Sequence, residues 1–284
     1  MIDVDVSYNE IVEKWRHSSI LTVQDVYTKL HNHRILFAYH SNKIENANTT
    51  YHDTREVFEN GKVSNYTGDL RTLFEIQNQK ICFDYLAEKI PTKKEISTDL
   101  IKEVHRLLLN GAYDEHRYNV NQERPGQFKQ HDYVTGKNDV GSPPENVEQD
   151  LSDLLDDING VSNEKNYNSL TVAAFFHASF EFIHPFADGN GRVGRTLMNY
   201  YLITHDHPPI VIFDEDKKKY YDCLEAFDTK EEIKPLVSFL KEQCVKTWSG
   251  GPSSLKLSLK KVLNEDTTVN SDPLDLTGHT SLNR

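Results

Sequence analysis

Residues 170–183 read LTVAAFFHASFEFI. The run is apolar nearly all the way round a helix, so it must be enclosed by other elements as the centre of a domain. It is 14 residues long and carries His177 and Glu181, too short and too polar to span a bilayer. The chain of 284 residues, 37% hydrophobic and 27% charged, is long enough for one large core around such a helix and predicts a globular protein.

The other segments read as helices around it. Val23, Leu30, Phe37 and Ile44 recur every seven residues, and no Pro or Gly interrupts residues 10–47, which predicts helix there. Residues 68–90 repeat the pattern until Pro91, and 96–110 end at Asn110-Gly111. Further helices are expected over 146–158, 191–204, 217–228 and 231–247. Residues 124–144 lack helical period and are punctuated by Gly126, Gly136, Gly141 and Pro143-Pro144, which fits a hairpin or extended loop. From about 249 the chain is rich in Ser, Thr, Gly and Asp and reads as mostly disordered, with a short helix near 254–263. The division expected is 1–65 as an N-terminal helical region, 66–248 as a core and 249–284 as a tail. No repeat of solenoid length is found.

Charge and cysteine usage exclude several classes. A net charge of −12 argues against wholesale binding to nucleic acid. Cys82, Cys223 and Cys244 are odd in number and far apart, which predicts buried thiols in a reducing compartment. The acidic start MIDVDVSYNE has no apolar region of a signal peptide, so the expectation is a cytoplasmic protein with no membrane contact.

The chemistry is concentrated in HPFADGNGRVGR, residues 184–195, directly after the central helix. A new helix begins near Asn190, and its first N–H groups and positive dipole end favour an anion. Gly189 and Gly191 remove the side chains that would hold a ligand off those groups. Arg192 and Arg195, three residues apart, project from one face and suit a polyphosphate. Asp188 offers a hard oxygen for Mg²⁺ shared with substrate phosphates, and His184 is a base for a hydroxyl nucleophile. Phe186 is expected to point into the core and pin the loop. Each group has a plainer reading: Asp188 as an N-cap, the glycines as turn residues, His184 as a core histidine. A structural turn needs neither the two arginines nor the histidine, so a Mg-nucleotide site accounts for more of the stretch.

HPFADGNGRVGR resembles the Fic-domain signature HxFx(D/E)GNGRxxR at every defining position, and the similarity extends over most of 66–245. The resemblance implies an all-α Fic fold, a helical bundle with a small β-hairpin flap over the active site, and transfer of AMP from ATP to a protein Ser, Thr or Tyr hydroxyl. It implies His184 as general base and Asp188 as the Mg²⁺ ligand. It makes Gly189, Asn190 and Gly191 the anion hole, with Arg192 and Arg195 on the phosphates. The flap segment 126–136, with Tyr133, Val134, Thr135 and Gly136 along the nucleotide, would dock the target protein as an added strand. Tyr220 and Tyr221 match an aromatic pair near the adenine, or are plain helix packing. Lys129, Thr135 and Asp228 depart from the usual Arg, large aliphatic residue and Asn. The related Doc toxins carry Lys at the position of Gly191 and lack the second Arg. Gly191 and Arg195 therefore favour AMP transfer over phosphorylation.

SNKIEN, residues 41–46, is similar to the family's inhibitory motif (S/T)xxxE(G/N). Ser41 and Glu45 are four apart on a helix, and the third residue after Ser41 is Ile44, so this is no capping box. The resemblance implies that Glu45 pairs with Arg195 where the γ-phosphate belongs, making an autoinhibited adenylyltransferase of class II type. Alternatives are a de-AMPylase using Glu45, transfer of UMP or phosphocholine, and a non-catalytic nucleotide sensor. A homodimer burying the inhibitory helix is a further expectation.

Overall fold

Residues 10–47 do not form one continuous helix. In the computed structural model, which describes residues 4–134, 141–162 and 167–249, the apolar stripe is cut into α1 (Val4–Arg16), α2 (Val23–Lys29) and α3 (His31–Glu45). The cause is local: the Thr22 side chain accepts from the Asp25 N–H, and the Asp25 carboxylate accepts from the Thr22 N–H in return. This capping box starts a helix where the heptad alone shows continuity. Leu30, with φ −101° and ψ 11°, then turns the chain between α2 and α3.

Thr50 caps α4 (Tyr51–Asn60), absent from the sequence expectation, and Gly61 ends it at φ 71°. Asp69 caps α5 (Leu70–Ala87), and Ser97 caps α6 (Thr98–Leu109). A short α7 (Glu115–Asn119) follows, then α8 (Val147–Ser162). Asn168 accepts from the N–H groups of Leu170 and Thr171 to start α9 (Ser169–Ile183). The chain continues through α10 (Asn190–Thr204), α11 (Lys217–Lys230) and α12 (Lys234–Ser249).

The described residues are all-helical apart from their connections, with no strand among them. Residues 126–134 of the expected flap are irregular, and 135–140 lie outside the described residues. So does the tail expected from about 249, except Ser249, which ends α12. Met1–Thr247 form one compact unit, which takes in both the N-terminal helices and the segment expected to be the core. Residues 248–284 make the second unit, of which only Trp248 and Ser249 are described.

α9 is the centre, as its all-round apolarity predicts. Phe176, Phe180 and Ala173 are fully buried, and α8, α10 and α11 pack on it. α10 is buried along almost its whole length. α3 packs against α4, α5 and α10, which brings its C-terminal end beside the start of α10. Cys82, Cys223 and Cys244 are free and buried. No helix among the described residues is long and apolar enough to cross a membrane.

Candidate active site

The α9-to-α10 loop is held by its own residues. His184 ends α9 in the left-handed region, φ 52° and ψ 61°, its N–H still bonded to the Phe180 carbonyl. Asn190 clasps the loop, donating to the Phe186 carbonyl (2.7 Å) and accepting from the Phe186 N–H (2.9 Å). Phe186 is fully buried and stacks on His105, centroids 3.7 Å apart at 2°. Gly189 is the N-cap of α10 at φ 81°, and a Cβ there would lie 2.5 Å from Leu109 Cδ2. The N-cap position is thus Gly189, and the carboxylate of Asp188 is free of capping duty.

Arginines converge on the start of α10. Arg192 pairs with Glu75 (3.2 Å), which also accepts from Arg71 and Asn46. Arg71, Arg117 and Arg192 approach the Asp188 carboxylate at 3.5, 3.4 and 3.9 Å. These are loose ion pairs, so Asp188 keeps lone pairs for a hard cation that also takes phosphate oxygens. Arg192 Nε and Arg195 Nη1 are buried and have no hydrogen-bond partner. Buried guanidinium donors left unpaired cost about 1–3 kcal/mol or more each, a cost an incoming anion removes.

Arg195 is held by the last turn of α3. It donates from Nε to Ser41 Oγ (3.2 Å), and from Nη2 to the Ser41 carbonyl (3.0 Å) and Glu45 Oε1 (2.8 Å). A Cβ on Gly191 would sit 2.7 Å from Glu45 Oε1 and 2.8 Å from Arg195 Nη1, so the ion pair closes over the glycine. Arg195 is 2% exposed while Glu45, at the mouth, is 35% exposed. Burial opposes ionisation of Glu45, but the Arg195 guanidinium, with Arg192 and Lys217, holds its carboxyl below the usual range.

His184 is half-buried beside the cradle. Burial lowers its pKa to about 4, helped by Lys129 and Arg117 and opposed by the Glu181 carbonyl, which accepts from the ring, and by Asp188. The imidazole is therefore neutral at physiological pH, with one nitrogen free as a base. Gly141 brings 141–142 against this corner: Ser142 N–H donates to the Ile183 carbonyl, and a Cβ on Gly141 would lie 2.8 Å from His184 Cβ.

The remaining expected residues are more dispersed. Tyr220 is fully buried, its hydroxyl 2.6 Å from His177 Nε2, which is the packing role. Tyr221 is 40% exposed, with Lys217 over its ring. Asp228 is exposed. Tyr133 hydrogen-bonds Glu123 and Asn121, and Val134 is 74% exposed. Thr135 and Gly136 lie outside the described residues.

Two residues were not foreseen from sequence. His105 accepts at Nδ1 from the Gly126 N–H (2.7 Å) and, in the matching tautomer, donates from Nε2 to the Asp188 carbonyl (3.0 Å). It ties the segment at Gly126 to the α9-to-α10 loop. Glu75 is the buried carboxylate behind Arg192 and Arg71. Neither lies in a motif; both are single polar residues on amphipathic helices.

With this geometry in place, residues 95–202 match the Fic/DOC family. The chain is 29% identical over 212 residues, 74% of its length, to a protein adenylyltransferase Fic of Drosophila virilis. It is 27% identical over 233 residues, 81% of its length, to protein adenylyltransferase fic-1 of Caenorhabditis elegans. It spans only 41% and 43% of those relatives. In fold it is similar to a Fic-domain-containing signaling protein from Bacteroides thetaiotaomicron, with a TM-score of 0.73, 23% identity, and coverage of 85% of this chain and 93% of that one. Fic-1 residues 134–508 from C. elegans give a TM-score of 0.68 at 22% identity, covering 94% of this chain and 73% of that one. Residues 95–202 thus carry the match to the Fic/DOC family, and the curated relatives found are named protein adenylyltransferase Fic.

Proposed function

We propose that this chain is an autoinhibited protein adenylyltransferase, moving AMP from ATP to a Ser, Thr or Tyr hydroxyl of a target protein and of itself. The observation that carries the reading is the Arg195–Glu45 pair closed over Gly191, beside buried guanidinium nitrogens that have no partner. The N–H groups at the start of α10, with Arg192 and Arg195, bind the triphosphate. Asp188 would hold a Mg²⁺ ion, which supplies charge neutralisation of the phosphates. His184 takes the proton of the target hydroxyl, whose oxygen bonds to the α-phosphorus as the bond to the pyrophosphate oxygen breaks. While Glu45 occupies Arg195, the γ-phosphate lacks that partner and the α-phosphorus is misaligned. The target backbone docks along the flap, where the Lys129 N–H is already committed to the Pro185 carbonyl.

The test compares α-labelled with γ-labelled ATP on a Glu45→Gly variant. Label on protein from the α position alone supports AMP transfer; label from the γ position overturns it in favour of phosphorylation. A second reading is favoured by the anionic, part-exposed Glu45 at the cradle mouth: it orients water for removal of AMP from a modified target. Release of AMP from an adenylylated protein by wild type but not by Glu45→Gly would support that reverse reaction.

A further inference from the structure

Arg117 lies outside the 184–195 motif and has no role in the chemistry above, yet it reaches the motif's carboxylate. It sits on α7, whose N-cap Asp114 accepts from the Arg117 N–H (2.9 Å), and the Glu123 N–H donates to the Arg117 carbonyl (2.9 Å). Its guanidinium lies over the Tyr133 ring, 5.1 Å from the centroid, and that ring is pinned by the hydrogen bonds of its hydroxyl with Glu123 and Asn121. The backbone and one face of the guanidinium are thus fixed, while the side chain stays 34% exposed. Its charge also reaches His184: burial is the main cause of that low pKa and Lys129 the next, with Arg117 adding to them.

The three arginines at Asp188 are not equivalent. Arg71 and Arg192 also pair with the buried Glu75, at 3.3 and 3.2 Å. Arg117 has no second carboxylate in ion-pair range among the described residues; its one acidic partner is Asp188 Oδ2, at 3.4 Å. That contact is too long for a strong charge-assisted hydrogen bond, and Oδ2 is shared with Arg71 at 3.5 Å. A divalent cation on Asp188 would take the oxygens that Arg117 approaches and repel the guanidinium. Arg71 and Arg192 would keep Glu75, and Arg117 alone would be left without an anion. Mg²⁺ is usually bound with substrate phosphate oxygens in its shell, so the cation brings the anion that fills this gap. A planar guanidinium held against an aromatic ring is well suited to phosphate.

We propose that Arg117 is a further phosphate-binding residue: it is the counter-ion of Asp188 until a cation takes that carboxylate, and then holds the β-phosphoryl oxygens of the cation-bound nucleoside triphosphate as the pyrophosphate leaves. This rests on the nucleotide reading of the cradle and adds a ligand from outside the motif. The pyrophosphate half is the part addressed because negative charge develops there as the bond to the α-phosphorus breaks, and a fixed cation beside the metal stabilises it.

The test uses the full chain carrying Glu45→Gly, alone and with Arg117→Gln or Arg117→Lys, with thermal melts to confirm folding. Calorimetry measures binding of ATP and of pyrophosphate, each with Mg²⁺, and of AMP; electron paramagnetic resonance measures binding of Mn²⁺ alone. Arg117→Gln is expected to weaken ATP and pyrophosphate about tenfold, the effect of one charge-assisted hydrogen bond at the lower end of its range, and AMP by less than about twofold. Arg117→Lys keeps the charge but not the planar fork and should recover part of the ATP affinity. Mn²⁺ alone should bind Arg117→Gln about threefold more tightly, because its rival for Asp188 is gone, and Asp188→Asn should abolish Mn²⁺ binding with or without Arg117. A gain for the bare cation beside a loss for the polyphosphate is a pair of opposite effects that a merely structural role does not produce. ATP and pyrophosphate affinity unchanged in a folded Arg117→Gln protein overturns the proposal. So does an equal loss for AMP, which would take Arg117 off the pyrophosphate half. Mn²⁺ affinity falling in step with ATP would make Arg117 a support for Asp188 and also overturns it. If the folded parent binds neither ATP nor pyrophosphate, the nucleotide reading itself fails, and the proposal with it.

Discussion

Replacing Glu45 by Gly removes the carboxylate from Arg195 and leaves the arginine held by Ser41 Oγ and the Ser41 carbonyl. The 2.8 Å contact is a charge-assisted hydrogen bond, a type that contributes about 1.5–3 kcal/mol when buried. Glu45 is 35% exposed, so solvent screening moves the figure just under that range, to about 1.4 kcal/mol. At about 1.4 kcal/mol per factor of ten, the productive pose of the triphosphate should gain about tenfold in population. The substitution should lower stability by at least the same amount, since Arg195 keeps only its Ser41 contacts. Glu45 is the last residue of α3, where glycine is well tolerated, so the backbone adds little to that loss. The assay is the initial rate of α-label transfer at saturating ATP and Mg²⁺, with ATP affinity measured in parallel. Glu45→Gln, neutral but still able to hydrogen-bond, should fall between wild type and Glu45→Gly. A folded Glu45→Gly protein that binds ATP and transfers within twofold of wild type would refute the reasoning.

Other perturbations give separate checks. Because His184 is depressed to about 4, transfer by Glu45→Gly should hold its rate down to about pH 5 and fall below that; a midpoint near 6.5 would contradict the burial of this ring. His105 and His177, both buried, and the half-buried His33 have pKa values pushed down to about 3, so the unfolded chain takes up more protons than the folded one below about pH 6.5. Stability should therefore fall as pH drops from there, by up to ~1.4 kcal/mol per pH unit for each histidine, in urea titrations; a flat profile from pH 7 to pH 4 would contradict it. His105→Phe keeps the stack on Phe186 but leaves the Gly126 N–H and Asp188 carbonyl unpaired, and should destabilise by about 2–5 kcal/mol in the same titrations. Gly191→Ala should melt near wild type, since flexible side-chain ends meet the new Cβ, while ATP affinity falls at least about tenfold as the cradle fills.

The parts of the site legible in sequence were those carried by local spacing. HPFADGNGRVGR exposes its own logic, because Gly189, Asn190 and Gly191 build the start of α10 and Arg192 and Arg195 follow on it. The central helix was legible from its unbroken apolarity. Ser41 and Glu45 needed a second fact, namely that α3 packs against α10, and a four-residue spacing says nothing of that. His105 and Glu75 were invisible for the same reason: each serves a partner more than eighty residues away, Asp188 and Arg192 respectively. The break of residues 10–47 into three helices was readable and outweighed by the heptad; Thr22 followed by Asp25 is a start signal even with no Gly or Pro nearby. Tyr220 went to packing because its hydroxyl is satisfied by His177, which leaves Tyr221 as the exposed face.

The most direct test is the intact mass of wild type, Glu45→Gly and Glu45→Gly with His184→Ala after incubation with ATP and Mg²⁺. The account predicts a gain of one or more adenylyl groups on Glu45→Gly, a much smaller gain on wild type, and none on the double variant. An equal gain on all three, or none on a folded, ATP-binding Glu45→Gly protein offered its target, would contradict it.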